Sequence, residues 1–336
     1  MKVPAGLLRA VLPGLMAITL SVSPGETQTR EGPRAAARRP LEKVRVTVPA
    51  KALTYLPYYL GQARGIYAEE GLDLEVIVMR PPIGIVALEA GDVAYSATAG
   101  LGMRASVRGA PIRVLMLIQT RLSFSLVGQP GMSPAKIKTI GVSGIGSGAH
   151  YAALAVLKKV SRGEAEDKVT YVTTNTTAQS YAALTGKAVD GAILTPPYTS
   201  MATLAGYVEL GDAYDLRDVQ GGLVTTVRRL QEQREQAKAL IRGTLRSLGY
   251  IAGNEREAID YMEKEFKLDR RVAAGSYGIQ KQVFNMDGDI EEPLLRSIVE
   301  KMRKDANLSE NISLDRIVEF SLLREVRSEL QSRGRK

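Results

Sequence analysis

A glycine-rich turn between a predicted strand and a predicted helix is the part of the sequence best suited to bind a ligand. Residues 139–143 favour a strand, residues 144–148 cannot continue it, and small apolar residues recur at helical spacing from Ala149 onward. The first N–H groups of a helix lack intrahelical acceptors, and the helix dipole adds about half a positive charge there. The turn therefore predicts a contact with an oxyanion or a carbonyl oxygen. The residues expected to make this contact are Gly146, Ser147, Gly148 and Ala149.

Other interpretations of this turn remain open. Residues 144–149 fit the dinucleotide pattern G-x-G-x-x-A, but the next predicted strand ends in Thr173 and Thr174, where a ribose-binding acid would be required. No phosphate-binding P-loop pattern occurs in the chain, and the turn could also serve packing alone. Ser147 and His150 could be drawn as a nucleophile and its base, but no G-x-S-x-G elbow surrounds the serine. We interpret His150 as a helix-surface or pocket-wall side chain.

The composition excludes several classes of site. The 336 residues include no cysteine and a single histidine, so disulfides, thiolate metal sites and cysteine nucleophiles are excluded, and we expect no metal or other cofactor. The formal charge is +9, but the basic residues are spread along the chain, which indicates a solvated basic surface and no nucleic-acid partner. The chain has 14 Tyr, 4 Phe and no Trp, a composition suited to polar-lined pockets.

The N-terminus reads as an export signal. Lys2 and Arg9 precede an apolar stretch at 10–22, and small residues occupy the signal-peptidase positions Ser23 and Gly25. Residues 1–25 are therefore predicted to be a cleaved signal peptide without a lipid-modified cysteine, with an uncleaved anchor as the alternative. Residues 26–42 are rich in Arg, Ala and Pro and are predicted to form a flexible tether.

Strands alternate with helices from residue 43 onward. Predicted strands at 44–48, 72–78, 93–97 and 112–117 are separated by helical stretches, a pattern typical of an α/β fold with a mainly parallel sheet flanked by helices. Ligands of such sheets lie outside the carboxyl ends of the strands. The polar residues at those ends are Thr54, Tyr55, Arg80 and Thr98.

A second alternating set follows and resembles the first. Its predicted strands lie at 139–143, 169–172 and 191–194, and in both sets a helix stops at a glycine before a buried strand. Beyond residue 227 the pattern is helical only, and these helices can complete the first unit. We therefore predict two lobes, 43–121 with 228–336 and 122–227, joined by two hinge crossings near 122–127 and 223–227 around a cleft.

Local motifs resemble one family of transport proteins. The first lobe contains Gly65-Ile66-Tyr67, Glu70-Gly71-Leu72, Gly91-Asp92-Val93 and Gly109-Ala110-Pro111-Ile112, and the second contains Ser133-Pro134, Gly146-Ser147-Gly148, Val189-Asp190 and Pro197-Tyr198. In order and spacing these motifs resemble the SsuA/THI5-like (NMT1-like) substrate-binding proteins of ABC importers. The resemblance implies a type II periplasmic-binding fold and a non-enzymatic protein that presents a small molecule to a membrane permease.

The sequence departs from the family's pattern at one position, and this difference bears on the ligand. Many members carry an acid before Pro-Tyr or Pro-Phe, whereas this chain has Pro196, which argues against a cationic or amino-pyrimidine ligand. We expect a small anion, or a neutral ligand with a carboxylate or sulfonate end, bound by a monomer whose lobes close around it. Neutral hydrogen bonds to the ligand are expected from Thr54, Thr98, Thr176 and Thr195. The walls of the cleft are expected to be formed by Tyr55 and Tyr198.

Two other functions remain open at this point. Some relatives of the family catalyse cofactor-precursor chemistry, but no paired carboxylates or histidines occur at the predicted strand ends. A ligand-sensing subunit outside the cytoplasm is the other alternative.

Overall fold

The computed structural model describes residues 40–161 and 169–333. The predicted signal peptide lies outside these residues, as does most of the predicted tether. Of the predicted tether, the structure describes residues 40–42, and the last of these, Glu42, is the first residue of the first strand. Both segments therefore stay predictions.

In the described part of the chain, ten strands form two separate five-stranded sheets. The strands are β1 (Glu42–Val48), β2 (Leu72–Val78), β3 (Tyr95–Ser96), β4 (Ile112–Leu117), β5 (Ser125–Gly128), β6 (Thr139–Val142), β7 (Thr170–Thr173), β8 (Gly191–Leu194), β9 (Val208–Asp212) and β10 (Gly222–Thr226). The first sheet has the order β2-β1-β3-β10-β4, and the second has the order β7-β6-β8-β5-β9.

Thirteen α-helices surround the sheets within the described residues. They are α1 (Leu56–Ala63), α2 (Ile66–Glu69), α3 (Pro81–Ala90), α4 (Ala99–Val107), α5 (Gly148–Ser161), α6 (Thr177–Thr185), α7 (Tyr198–Leu204), α8 (Val227–Glu232), α9 (Arg234–Gly253), α10 (Glu255–Phe266), α11 (Arg270–Val283), α12 (Glu292–Asp305) and α13 (Ser321–Arg333). None of the described helices is both long and apolar enough to cross a membrane.

The two sheets share one topology. In the first, β10 pairs antiparallel with β3 and β4, while β1 pairs parallel with β2 and β3. In the second, β5 pairs antiparallel with β8 and β9, while β6 pairs parallel with β7 and β8. Each sheet thus places its one reversed strand fourth in the order. The α/β class, the mainly parallel sheets and the two related halves are confirmed.

The chain crosses between the sheets twice, and the two crossing segments touch each other. The first crossing joins β4 to β5 through residues 118–124, and the second joins β9 to β10 through residues 213–221. They meet in an antiparallel bridge between Arg121 and Arg217. We define the first lobe as residues 42–117 with 222–333, and the second lobe as residues 125–212.

The predicted position of the second crossing is wrong. The stretch 223–227 was assigned to the second lobe as a hinge strand, whereas β10 is an inner strand of the first sheet. Its residues Leu223 and Val224 are fully buried, and the Tyr58 hydroxyl donates to the carbonyl of Gly222 at 2.9 Å. The β-prone run therefore pairs within the first sheet, and the crossing precedes it.

The core of each lobe follows from the alternation of its strands. In the second sheet, Leu126 and Ile193 join a cluster on the α5 face, whereas their neighbours Val127 and Ala192 join one on the face of α6 and α7. In the first lobe, one large cluster extends from β1 into the C-terminal helices. This cluster packs the C-terminal helices against the first sheet.

The glycines of α1 and α9 differ in the space beside them, and this difference gives a stability prediction. A Cβ atom at Gly249, inside α9, would meet nothing within 4 Å. Gly249→Ala should therefore raise the free energy of unfolding by about 0.5–1 kcal/mol in urea denaturation, because alanine has less backbone entropy to lose. Gly61→Ala in α1 is the matched control, since its Cβ would lie 2.0 Å from the Ser247 Oγ, and it should destabilise. Loss of stability in Gly249→Ala would contradict the prediction.

Candidate ligand-binding site

The N-terminus of α5 offers two backbone donors to the space between the lobes. The Ser147 hydroxyl accepts from the N–H of His150 at 3.3 Å and so caps the helix. The N–H groups of Gly148 and Ala149 have no acceptor among the described residues. They lie at the positive end of the dipole of a 14-residue helix. This end of α5 can therefore donate two hydrogen bonds to an anionic group.

The other two N–H groups that were predicted to bind the ligand form hydrogen bonds within the turn itself. The N–H of Gly146 donates to the His150 Nδ1 at 3.1 Å, and the N–H of Ser147 donates to the carbonyl of Gly144 at 3.2 Å. Gly146 has a φ of +77°, which favours glycine and lets the chain fold back in this way. Two of the four predicted donors are thus used for turn geometry.

His150 has a structural role in this arrangement. Its Nδ1 accepts from the turn, and its ring lies edge-on to Tyr171 with centroids 4.6 Å apart. The Ser147 hydroxyl is contacted by the His150 backbone N–H and by the Ser143 hydroxyl, which donates to it at 3.1 Å. The imidazole is therefore not placed as a base for the serine.

The first lobe supplies hydroxyl donors opposite α5. Ser96 and Thr98, at the end of β3, are almost fully buried and share one hydrogen bond of 2.8 Å between their hydroxyls. Each hydroxyl carries one proton, and the shared hydrogen bond uses only one of the two. The other proton has no acceptor among the described residues. The Tyr55 hydroxyl also has no acceptor among the described residues, and burial raises the pKa of this phenol, so that it stays protonated. This wall of the cleft donates more hydrogen bonds than it accepts.

These groups meet in one cavity between the lobes, which we call the inner chamber. It has a volume of about 300 Å³ and brings together the predicted residues Tyr55, Thr98, Gly148 and Ala149. The Phe124 ring and the Ser143 side chain form its wall on the second-lobe side. Its other lining residues are Pro49, Gly100, Leu101, Arg104, Asp218, Val219 and Gln220.

A second cavity of about 290 Å³ adjoins the first, and we call it the outer chamber. Both chambers are lined by Arg104, Gly148 and Asp218, so they form one continuous cleft. The Lys301 ammonium of α12 lies 4.5 Å from the ring centroid of Tyr151 on α5, a contact between the lobes. The aliphatic lining consists of Leu122, Leu216, Ile298 and Met302.

The remaining predicted site residues lie outside both chambers. Thr176 caps α6, where its hydroxyl accepts from the N–H of Gln179 at 3.2 Å. Tyr198 packs against Tyr181 with ring centroids 5.5 Å apart, in a core cluster of the second lobe. Thr54 faces the second crossing near Gly221, and Thr195 is partly buried just before α7. The structure thus brings four of the ten predicted residues into the inner chamber and Gly146 into the outer one.

Sequence reasoning missed two charged residues and one amide that line the cleft. Arg104 lies on the polar face of α4, and Asp218 and Gln220 lie on the second crossing. Their signals were weak, because a polar helix face and a polar loop are ordinary surface features. Their place beside α5 depends on contacts between segments that are distant in sequence.

A cavity larger than either chamber lies elsewhere. It measures about 500 Å³ and is lined by Arg121 and Arg217 of the crossings and by residues 282–287 and 289–291. It contains none of the predicted residues, and Asp287, Asp289 and Glu291 make its wall acidic. We favour the cleft as the binding site, because open donors from both lobes converge there. Within residues 40–161 and 169–333, no three His, Asp or Glu side chains are grouped to hold a metal ion.

Comparison with solved structures shows the same fold in transport proteins. The periplasmic aliphatic sulphonate binding protein SsuA of Escherichia coli is 13% identical, with a TM-score of 0.64 over 83% of this chain and 92% of that one. SsuA of Xanthomonas axonopodis pv. citri, solved with MOPS, is 14% identical, with a TM-score of 0.61 over 84% and 99%. The ligand-binding component of an ABC-type import system of Staphylococcus aureus, solved with zinc, is 19% identical, with a TM-score of 0.63 over 85% and 99%. At these identities the likeness concerns the fold alone.

The family follows from the sequence. No curated protein matches the chain significantly. Residues 53–258, more than half of the chain, match the model of the family described as NMT1/THI5 like. That region extends from the loop after β1 into α10 and contains the whole second lobe and most of both chambers. The chain therefore belongs to the NMT1/THI5 like family and has the two-lobe type II periplasmic-binding fold.

Proposed function

We propose that this protein is the extracytoplasmic solute-binding protein of an ABC importer. It captures a small organic anion with a sulfonate or carboxylate end in the inner chamber and delivers it to a membrane permease. The predicted export signal at residues 1–25 would place it in the periplasm, where it works as a monomer without a cofactor.

The observation that carries this proposal is the surplus of open donors in the inner chamber. Two N–H groups of α5, the Tyr55 phenol and one hydroxyl proton of the Ser96–Thr98 pair have no acceptor within residues 40–161 and 169–333. These donors border the same cavity, and an oxyanion can accept hydrogen bonds from several of them at once. Two structural neighbours are sulfonate-binding proteins by name, which supports the same ligand class here.

A binding role fits the chamber better than an enzymatic one. Among its lining residues Asp218 is the only carboxylate, and this side chain already accepts from the N–H of Val219 at 2.8 Å. His150 is held by the turn. General acid–base catalysis needs a positioned group that is free to exchange a proton, and neither residue meets that condition.

Isothermal titration of the purified protein tests the proposal. We expect one binding site for 1-butanesulfonate or benzoate, in a buffer free of sulfonates and phosphate, and no comparable heat with butyl methyl sulfone, a neutral analogue. The anion offers a charged acceptor to the open donors, whereas the sulfone offers only neutral ones. Equal affinity for the neutral analogue, or no binding of either anion, would contradict the proposed function.

A further inference from the structure

Arg104 is the charged side chain of the first lobe that borders both chambers. It projects from α4, which lies close to the second crossing and β10. A Cβ at Gly100 would lie 2.6 Å from the carbonyl oxygen of Val219, and one at Gly102 would lie 2.6 Å from a methyl of Val224. These two close approaches fix the helix, and with it the backbone from which Arg104 reaches the cleft.

The charge of Arg104 is not compensated by any of the residues that the structure describes. Within the described residues its guanidinium has neither an ion pair nor a hydrogen-bond partner. Asp218 borders the same chambers but is not within ion-pair distance of it, and its carboxylate accepts instead from Val219 and from the Gln220 amide. Arg104 is thus a cation available to a ligand.

The other cations of the outer chamber have partners. Arg217 lies 3.4 Å from the Glu291 carboxylate, and Lys301 lies over the ring of Tyr151. Both side chains are therefore already engaged by other residues of the protein. Arg104 differs from them because its five N–H donors are all open.

We infer that Arg104 binds the charged end of the ligand from the first lobe while the N-terminus of α5 binds it from the second. This inference rests on the function proposed for the cleft and names a residue that selects the ligand. One anionic group then contacts both lobes, so its binding energy is available only when the lobes are closed. A guanidinium fork matches the paired oxygens of a sulfonate or carboxylate.

The same charges define the ligand class more narrowly. Arg104 and Asp218 together contribute no net charge to the inner chamber, and the α5 dipole adds about half a positive charge. A singly charged organic anion fits this balance. A dianion such as inorganic sulfate would bring a second negative charge toward the Asp218 carboxylate, which opposes it.

Titration of the full chain and its variants with 1-butanesulfonate tests the role of Arg104. Arg104→Gln should weaken binding about tenfold, because it replaces charge-assisted hydrogen bonds by the weaker hydrogen bonds of a neutral amide. The affinity of Arg104→Lys should lie between those of the wild type and Arg104→Gln. Inorganic sulfate should bind to the wild type more weakly than the sulfonate does. Arg108→Gln is the matched control, since it removes the same charge from an exposed position at the end of α4 that borders neither chamber.

The outcomes separate this inference from the proposed function. If the wild-type protein binds the sulfonate and Arg104→Gln stays within twofold of Arg108→Gln, the role of Arg104 is wrong and the proposed function stands. If the wild-type protein binds neither the sulfonate nor benzoate, both are wrong. Circular dichroism of each variant distinguishes loss of a contact from loss of the fold.

Discussion

Gly148→Pro should weaken binding of 1-butanesulfonate by roughly 30- to 100-fold. Proline removes one of the two open N–H donors at the start of α5 and sets its ring carbons against the anion, a loss of about 2–3 kcal/mol for a bond to a charged acceptor. The first position of a helix tolerates proline, because its N–H has no intrahelical acceptor. The fold should therefore survive, and titration calorimetry measures the loss.

Gly148→Ala is the control for this result. It keeps the N–H group, and its Cβ would lie 3.6 Å from the Phe124 ring, an ordinary van der Waals distance. We expect its affinity to stay within about threefold of wild type, since one methyl group alters little of the contact. Equal affinities of the proline and alanine variants would show that α5 does not bind the ligand through this donor.

Gly222→Ala should lower the free energy of unfolding by about 3 kcal/mol, at the upper end of the usual cost of overpacking. A Cβ there would lie 2.3 Å from the carbonyl oxygen of Met116 and 2.6 Å from the Cβ of Ala99. Both contacts are close to backbone, so relief requires β10 to shift away from its neighbours. Urea denaturation followed by circular dichroism measures the change.

Gly253→Ala is the matched substitution for this experiment. It lies at the end of α9, where a Cβ would meet nothing within 4 Å, and its stability should stay at or slightly above that of wild type. A Gly222→Ala variant as stable as Gly253→Ala would mean that β10 does not pack as tightly against β4 as the register requires.

Elements with a strong local pattern could be predicted from the sequence to within a residue. The predicted bounds of β2, β4 and β8 agree with the structure, because alternating or wholly apolar runs between turn residues specify strands locally. β3 is shorter than predicted, with two residues, since only Tyr95 and Ser96 pair with a neighbouring strand.

Sheet membership could not be predicted from the same patterns. The run 223–227 was identified as β-prone, but nothing in its five residues specifies whether it pairs with strands of the first or the second lobe. That choice depends on contacts distant in sequence, such as Val224 beside Ser96 and Val114. The strand β9 was not predicted for a different reason. Val208–Asp212 is a half-exposed edge strand with little apolar alternation.

The candidate site was predicted in part. The glycine turn, Tyr55 and Thr98 were identified because strand ends of a parallel sheet converge. The capping roles of Ser147 and Thr176 could have been recognised, since Ser or Thr just before a helix is a common cap. Arg104 could not have been, because its place beside α5 depends on how the lobes fold against each other.

A crystal structure of the protein grown with 1-butanesulfonate tests the central claim most directly. We expect the sulfonate in the inner chamber, with oxygens about 3 Å from the backbone nitrogens of Gly148 and Ala149 and from the Arg104 guanidinium. Density for the ligand in the cavity beside Arg121 and Arg217, with the inner chamber unoccupied, would contradict it.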